Sequence, residues 1–462
     1  MRARSGRLWA AAAAACASCA APPSVRLAVK LLLPDSPKPA EVASLALHVL
    51  WNGGDAGLVV PGGPGDAGAL ELPLPAGPVV IEVDGLDSTG APRWRGYARG
   101  VELPADADGG AAVATVFFGK IGAFSTFQAT PPMPPLAGSA AVAWGEGRLL
   151  VLGGRAADGG VTDGVWLYDQ RTVELTPEPP LRHARAHAFA AVGADLGGSP
   201  YVLLAGGEGG DGAATDSVEI YRPEGGLDLP PLGAPQIDPS GAPLDEAGLE
   251  IAVGCGAPGF AALDVYAPGM ALAGGDGGLA AELPLPSACP NGALQHVPGL
   301  GLLAGALGGE IWLLSPLSGG SPFASTELPR GRFAAAPLDG GWLQLGGEAP
   351  DGGVLATAEL DLSGRPASVV PLLATPRAAF ATLAVADGGL LAVGGLGAGG
   401  VALSSAERVD LSSLAATAAG ALGSGRIRPA LAEVPGYRAA LVVSGEDPTG
   451  APVGGLEIYS YP

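Results

Sequence analysis

Lysine is nearly missing from this sequence: Lys30, Lys38 and Lys120 are the only three in a chain of 462. Arginine brings the basic total only to 24, against 45 acids, for a formal net charge of −21. Duplex nucleic acid and anionic lipid surfaces are held by basic side chains, so neither suits this chain as a partner. Charged residues make up 15% of the chain and hydrophobic residues 48%, the reverse of a disordered composition. Beyond the N-terminal region no uninterrupted apolar run reaches 18 residues, the length a transmembrane helix needs. Catalytic signatures are missing as well: there is no G-x-S-x-G, no H-E-x-x-H and no phosphate-binding loop. What the chain has in quantity is glycine and proline, 77 and 45 residues. In so apolar a sequence these read as turns between many short buried segments. The length fits two or three domains or one large repeat array.

The first 23 residues read as an export signal. Arg2, Arg4 and Arg7 precede an apolar stretch of eight (residues 8–15), then small residues, Cys16, Cys19 and Pro22-Pro23. Small residues before Cys16 and Cys19 resemble a bacterial lipobox, loosely, because neither cysteine has a leucine three residues earlier. The expectation is an exported lipoprotein of the outer membrane, periplasm or cell surface, touching a membrane only through an N-terminal lipid. The alternative is ordinary cleavage near Ala17 or Ala20 and a secreted protein. Beyond the signal only Cys255 and Cys289 remain, and in an oxidising compartment such a pair reads as a disulfide.

Residues 24–125 alternate short apolar runs with turn clusters: VRLAVKLLL (25–33), SLALHVLW (44–51), PVVIEVDGL (78–86), PRWRGYA (92–98) and AAVATVFF (111–118). Strands at such spacing predict an antiparallel β-sandwich, Ig-like or similar, with Trp94 buried. From residue 126 a repeat takes over. Four or five apolar residues end in a small pair: Gly153-Gly154, Gly206-Gly207, Gly274-Gly275, Gly346-Gly347 and Gly394-Gly395, with weaker copies at Ala306 and Gly445. A second element follows several of these, such as VWLYD (165–169), SVEIYRP (217–223) and LEIYS (456–460), and an arginine opens several copies.

This order resembles the kelch repeat over residues 126–462, each copy of which forms one four-stranded blade of a β-propeller. Diglycine after the second strand lets the backbone turn close to the next blade. The Trp of the family pattern is mostly absent, and Leu175 and Val369 stand in that region. The expected fold is therefore all-β, an N-terminal β-sandwich followed by a kelch-type β-propeller. Length favours seven blades over six. Residues 227–256 read as a long insertion. The last copy supplies a third strand but no fourth, so residues 124–135 are expected to close the last blade and remove its open edges.

Blade topology gathers the loops after the diglycines with the entries to the first strands. The expected binding face there holds Arg182, Glu208, Asp211, Asp276, Arg332, Glu348, Asp351, Arg377, Arg438 and Glu446. The competing reading is that the arginines pair with acids and only brace the ring. GGEGGD (206–211) matches the start of a Ca²⁺-binding nonapeptide, but that pattern works in tandem and here occurs once. His183 and His187, about 13 Å apart on a strand, could not share a metal and read as structural or surface residues. A copper radical oxidase on a kelch propeller uses two His, two Tyr and a Cys joined to one Tyr, and no such grouping is visible. No metal, no cofactor and no catalytic residue is expected. The reading is a non-catalytic, monomeric envelope scaffold that binds a protein or glycan. A carbohydrate-active or copper enzyme and a purely structural envelope lipoprotein are the alternatives.

Overall fold

The computed structural model describes residues 24–64, 70–104, 111–244, 249–274, 278–305, 308–315, 319–385 and 388–462. The signal region with Cys16 and Cys19, and the pair Gly275 and Asp276, lie outside the described residues. Within them the protein is all-β apart from one short helix, Pro268–Leu272.

The N-terminal part has strands β1 (Ser24–Leu32), β2 (Ser44–Trp51), β3 (Gly54–Pro61), β4 (Leu70–Pro75), β5 (Gly77–Leu86), β6 (Pro92–Leu103) and β7 (Ala111–Lys120). The period-2 pattern decides which face is buried. In β5, Val79, Ile81 and Val83 point inward, while Glu82 and Asp84 face Arg95 of β6 on the other side. Trp94 is fully buried and stacks on Phe118 at 5.8 Å. The strands are hydrogen-bonded into one seven-stranded sheet, ordered β3-β2-β5-β6-β7-β1-β4, rather than the two antiparallel sheets expected of a sandwich. The reason is β7. Its Ala111–Phe117 portion runs parallel to β1, and its last residues, Phe118 to Lys120, pair with β6. One strand therefore stitches both halves together.

Seven four-stranded antiparallel sheets follow among the described residues, the first six simple meanders. Sheet I comprises Ala140–Ala143, Arg148–Leu152, Val165–Asp169 and Glu174–Glu178; sheet II, Phe189–Ala194, Pro200–Ala205, Val218–Tyr221 and Leu227–Leu229. Sheet III comprises Ser240–Pro243, Ile251–Gly254, Ala262–Tyr266 and Leu279–Pro284; sheet IV, Ala293–Val297, Gly301–Gly305, Glu310–Ser315 and Gly319–Ser325. Sheet V comprises Ala334–Leu338, Gly341–Leu345, Thr357–Leu362 and Ser368–Pro371; sheet VI, Ala381–Val385, Gly389–Val393, Ser405–Asp410 and Ala415–Ala421. Sheet VII takes Ala430–Val434, Ala439–Val443 and Leu456–Ser460 from the end of the chain, and its outer strand is β8 (Phe124–Phe127). The second strands are buried on both faces, which explains their unbroken apolar runs. The first strands of sheets I and VII pack on one another.

Two readings of the repeat are corrected here. Residues 227–256 are not an insertion: they hold the last strand of sheet II and the first two of sheet III. Gly274, expected to end a second strand, instead follows the short helix that leads to the last strand of sheet III. The true counterpart of the diglycine in sheet III is Cys255-Gly256, with Cys255 at φ 64°. Its side chain is bonded to Cys289 at the entry to sheet IV.

The N-terminal sheet rests on sheet VII. Phe117 of β7 meets Phe127 at 5.4 Å, and Phe127 meets Tyr168 of sheet I at 6.0 Å, so one hydrophobic core runs through all three.

Candidate functional site

Four arginines at the entries to sheets are almost completely buried: Arg185, Arg330, Arg377 and Arg426. Each reaches into its own sheet in the same way. Arg377 donates to the carbonyls of Gly394 and Ser405 at 2.7 and 3.0 Å and to Glu407 at 2.8 Å. Arg426 does so to Ser444, Gly455 and Glu457, and Arg330 to Gly346, Thr357 and Glu359; Arg185 donates to the carbonyls of Gly206 and Ser217 and forms an ion pair with Glu219. The carboxylates in turn accept backbone N–H groups; Glu407 takes those of Ala374 and Thr375. A buried charge paired with a carboxylate and two backbone carbonyls is part of the frame.

The diglycines serve the same seam. A Cβ on Gly153 would come within 2.3 Å of the Arg185 carbonyl, one on Gly346 within 2.5 Å of that of Arg377, and one on Gly394 within 2.6 Å of that of Arg426. These positions also have φ of 61–63°. Both facts demand glycine. At the seam between sheets VII and I, Ser444 replaces it. Its hydroxyl donates to the Leu136 carbonyl at 2.9 Å and accepts from Ser139 N–H.

Two residues beyond Leu136, Arg185, Gln236, Cys289, Arg330, Arg377 and Arg426 the chain makes a tight turn with positive φ. The seven residues concerned are Gly138, His187, Asp238, Asn291, Arg332, Ala379 and Arg428. Their backbones are linked from sheet to sheet: His187 N–H donates to Gly138 O, Asp238 to His187, Arg332 to Asn291, Ala379 to Arg332 and Arg428 to Ala379. Several of their side chains converge. Asp238 lies 3.2 Å from His187 Nδ1 and 3.0 Å from Arg428 Nε. Arg428 also meets Glu446 at 2.6 Å, Arg332 meets Glu348 at 3.4 Å, and Arg155 is bonded to Glu208. Burial pushes the Asp238 carboxyl up, but His187, Arg428 and Arg332 outweigh it and hold it below the ordinary carboxylate value. The arrangement is a compact polar surface of alternating charge with its side chains only partly exposed.

Of the residues expected on a binding face, Glu208, Arg332, Glu348 and Glu446 are in this cluster. Asp211 and Asp351 lie farther out, each accepting an N–H two residues on in its own loop. The remaining arginines correct the expectation. Arg377 is the buried brace just described. Arg182 is on the outer side of sheet II, paired with Asp228 at 2.8 Å. Arg438 is in the hairpin between the first two strands of sheet VII, at the opposite end from Gly445. His187, Asp238, Asn291 and Arg428 were missed. The signal available was the spacing: Arg330 and Arg332, like Arg426 and Arg428, alternate a buried and a turn position.

The turn residues and the groups joined to them include one imidazole, no phenol and no thiol. Among the described residues no group of three or more His, Cys, Asp or Glu is arranged to hold a metal ion. The Cys–Tyr–His set of a copper radical oxidase is not what these residues supply. No family model matches the sequence, and no curated protein matches it. Solved structures do match in shape. One is a fungal alcohol oxidase of the AA5 family in complex with copper, with a TM-score of 0.55 and 14% identity, covering 73% of this chain and 76% of that one. At that identity the likeness is one of fold: the chain is an all-β protein that shares the architecture of this oxidase.

Proposed function

We propose that residues 126–462 form a seven-bladed, kelch-type β-propeller, sheets I–VII being its blades, and that it is a non-catalytic binding scaffold. The turn residues then surround the axis at one end, and the partner, a protein or a glycan, docks on that end. The observation that carries the reading is the convergence of His187, Asp238, Arg332 and Arg428 on one surface, held by a buried frame that fixes their positions. The likeness to the AA5 oxidase supports the architecture; its copper chemistry does not transfer, because the residues here do not fit that metal site. The N-terminal reading adds export and a lipid on Cys16 or Cys19.

The test compares capture of envelope proteins and glycans by the mature protein and by the double variant D238N/R428Q. Loss of a partner retained by wild type supports the reading, and identical capture by both sinks it. Palmitate labelling that disappears in C16A/C19A tests the anchor separately.

A further inference from the structure

A second place in the molecule has the make-up of a ligand site, at the end opposite the turn cluster, where the N-terminal sheet meets sheet VII. Most arginines with described side chains have a carboxylate within 4.0 Å. Among the described side chains no Asp or Glu lies that close to Arg99, Arg365 or Arg438, though Arg438 donates to the Pro462 main-chain oxygen at 3.3 Å. Arg99 and Arg438 line the same cleft of about 170 Å³, together with Tyr97, Tyr461 and Pro462. Both are also set by irregular backbone. Arg99 is in a β-bulge, where the register between β5 and β6 shifts between Val79 and Ile81, and the next residue, Gly100, has φ 69°. Arg438 itself has φ 47°, a costly conformation for arginine. Bulges of this kind re-aim side chains.

Arg99 also lines an adjoining cleft of about 370 Å³. Its walls are mostly apolar, from Leu50, Trp51, Pro78 and Val80, and Leu50 is 48% exposed. Arg99 lines both clefts. Together they have the size and mixture typical of small-molecule sites, an apolar recess with a few convergent polar groups. Glu433 faces the arginine cleft and Glu146 the apolar one, so neither wall is purely cationic.

We propose that this double cleft binds an amphipathic organic carboxylate, its head on Arg99 and Arg438 and its aryl or alkyl body beside Trp51. Two guanidinium forks match a planar carboxylate, and the apolar recess distinguishes such a ligand from a bare anion.

The experiment is calorimetric titration of the full mature chain with 4-phenylbutyrate and, separately, with inorganic phosphate at low salt. The expected result is saturable 4-phenylbutyrate binding, with phosphate weaker. R99Q and R438Q should each weaken it by about tenfold or more. W51A should weaken 4-phenylbutyrate but not phosphate, E433Q should tighten both, and R365Q, an arginine remote from the cleft, should change nothing. Circular dichroism checks that each variant is folded. No saturable 4-phenylbutyrate binding by wild type, or unchanged affinity in folded R99Q and R438Q, overturns the site. Equal affinity for phosphate overturns the amphipathic assignment.

Discussion

Removing the Arg377 guanidinium is the sharpest test of the frame. In R377M, Glu407 would keep its two backbone donors, Ala374 and Thr375, but lose its counter-charge. The carbonyls of Gly394 and Ser405 would lose their donor in a place water does not reach. Breaking a buried pair by deleting one member costs about 3–5 kcal/mol. The double variant R377M/E407L removes both charges and should recover most of that loss. R182M breaks a pair that is half exposed on both sides and screened by solvent, and should leave the urea midpoint close to that of wild type. Urea denaturation gives the losses, and limited proteolysis around residues 374–405 shows whether sheet VI opens first. If R377M and R182M are destabilised equally, or the double variant is worse than R377M, the clamp is not what holds this seam.

Three other outcomes follow from the same structure. Burial raises the Asp361 carboxyl to about 6, with repulsion from Glu359 adding to it. A raised carboxyl keeps its proton in the native state when the unfolded chain has lost it. Stability should therefore fall between about pH 4 and 6, by about 3 kcal/mol from this group, and stay level above; urea midpoints for wild type and D361N should diverge across that window and nowhere else. Ser444→Ala should cost about 1–3 kcal/mol by leaving Leu136 O and Ser139 N–H unpaired, whereas Ser444→Gly should cost less, because glycine accepts φ 60° freely; thermal melts of the two variants decide it. The C255A/C289A variant opens a loop of 34 residues and should lose about 4 kcal/mol on the chain-entropy account, read as a shift of the urea midpoint.

How much of this could be read from the residues differs by region. Strands buried on both faces announce themselves as apolar runs, so the second strands of sheets I, II, V, VI and VII are plain. The run ending at Gly274 misled because alanine, leucine and methionine suit a helix as well as a buried strand, and periodicity in five residues does not separate them. In the N-terminal part β3 and β4 escaped notice: GDAGLVVP and LELPLP carry glycine and proline, which weaken the strand signal at sheet edges, where both lie. The parallel pairing of β1 with β7 is a long-range choice with no local mark. The arginines were conspicuous, but which were buried was not, since Arg330 and Arg332 differ only in where the backbone turns. His187 was set aside by strand geometry, yet it occupies a left-handed turn that the sequence does not mark.

The outer strand of sheet VII comes from residues that precede sheet I, so the order of synthesis matters. While sheets I to VI emerge, β8 is bonded only to Asp35 and Ser36 on one edge and its other edge has no partner strand: Phe124 waits for Tyr459, which it finally meets at 5.0 Å, and Leu136 waits for Ser444, 308 residues downstream. Until then an unpaired strand edge and aromatic side chains stay uncovered, the kind of surface on which incomplete chains stick to one another. A nascent chain of this kind needs shielding until its last strand arrives, and a truncation just before Leu456 leaves sheets I to VI intact in sequence but β8 without its partner strand.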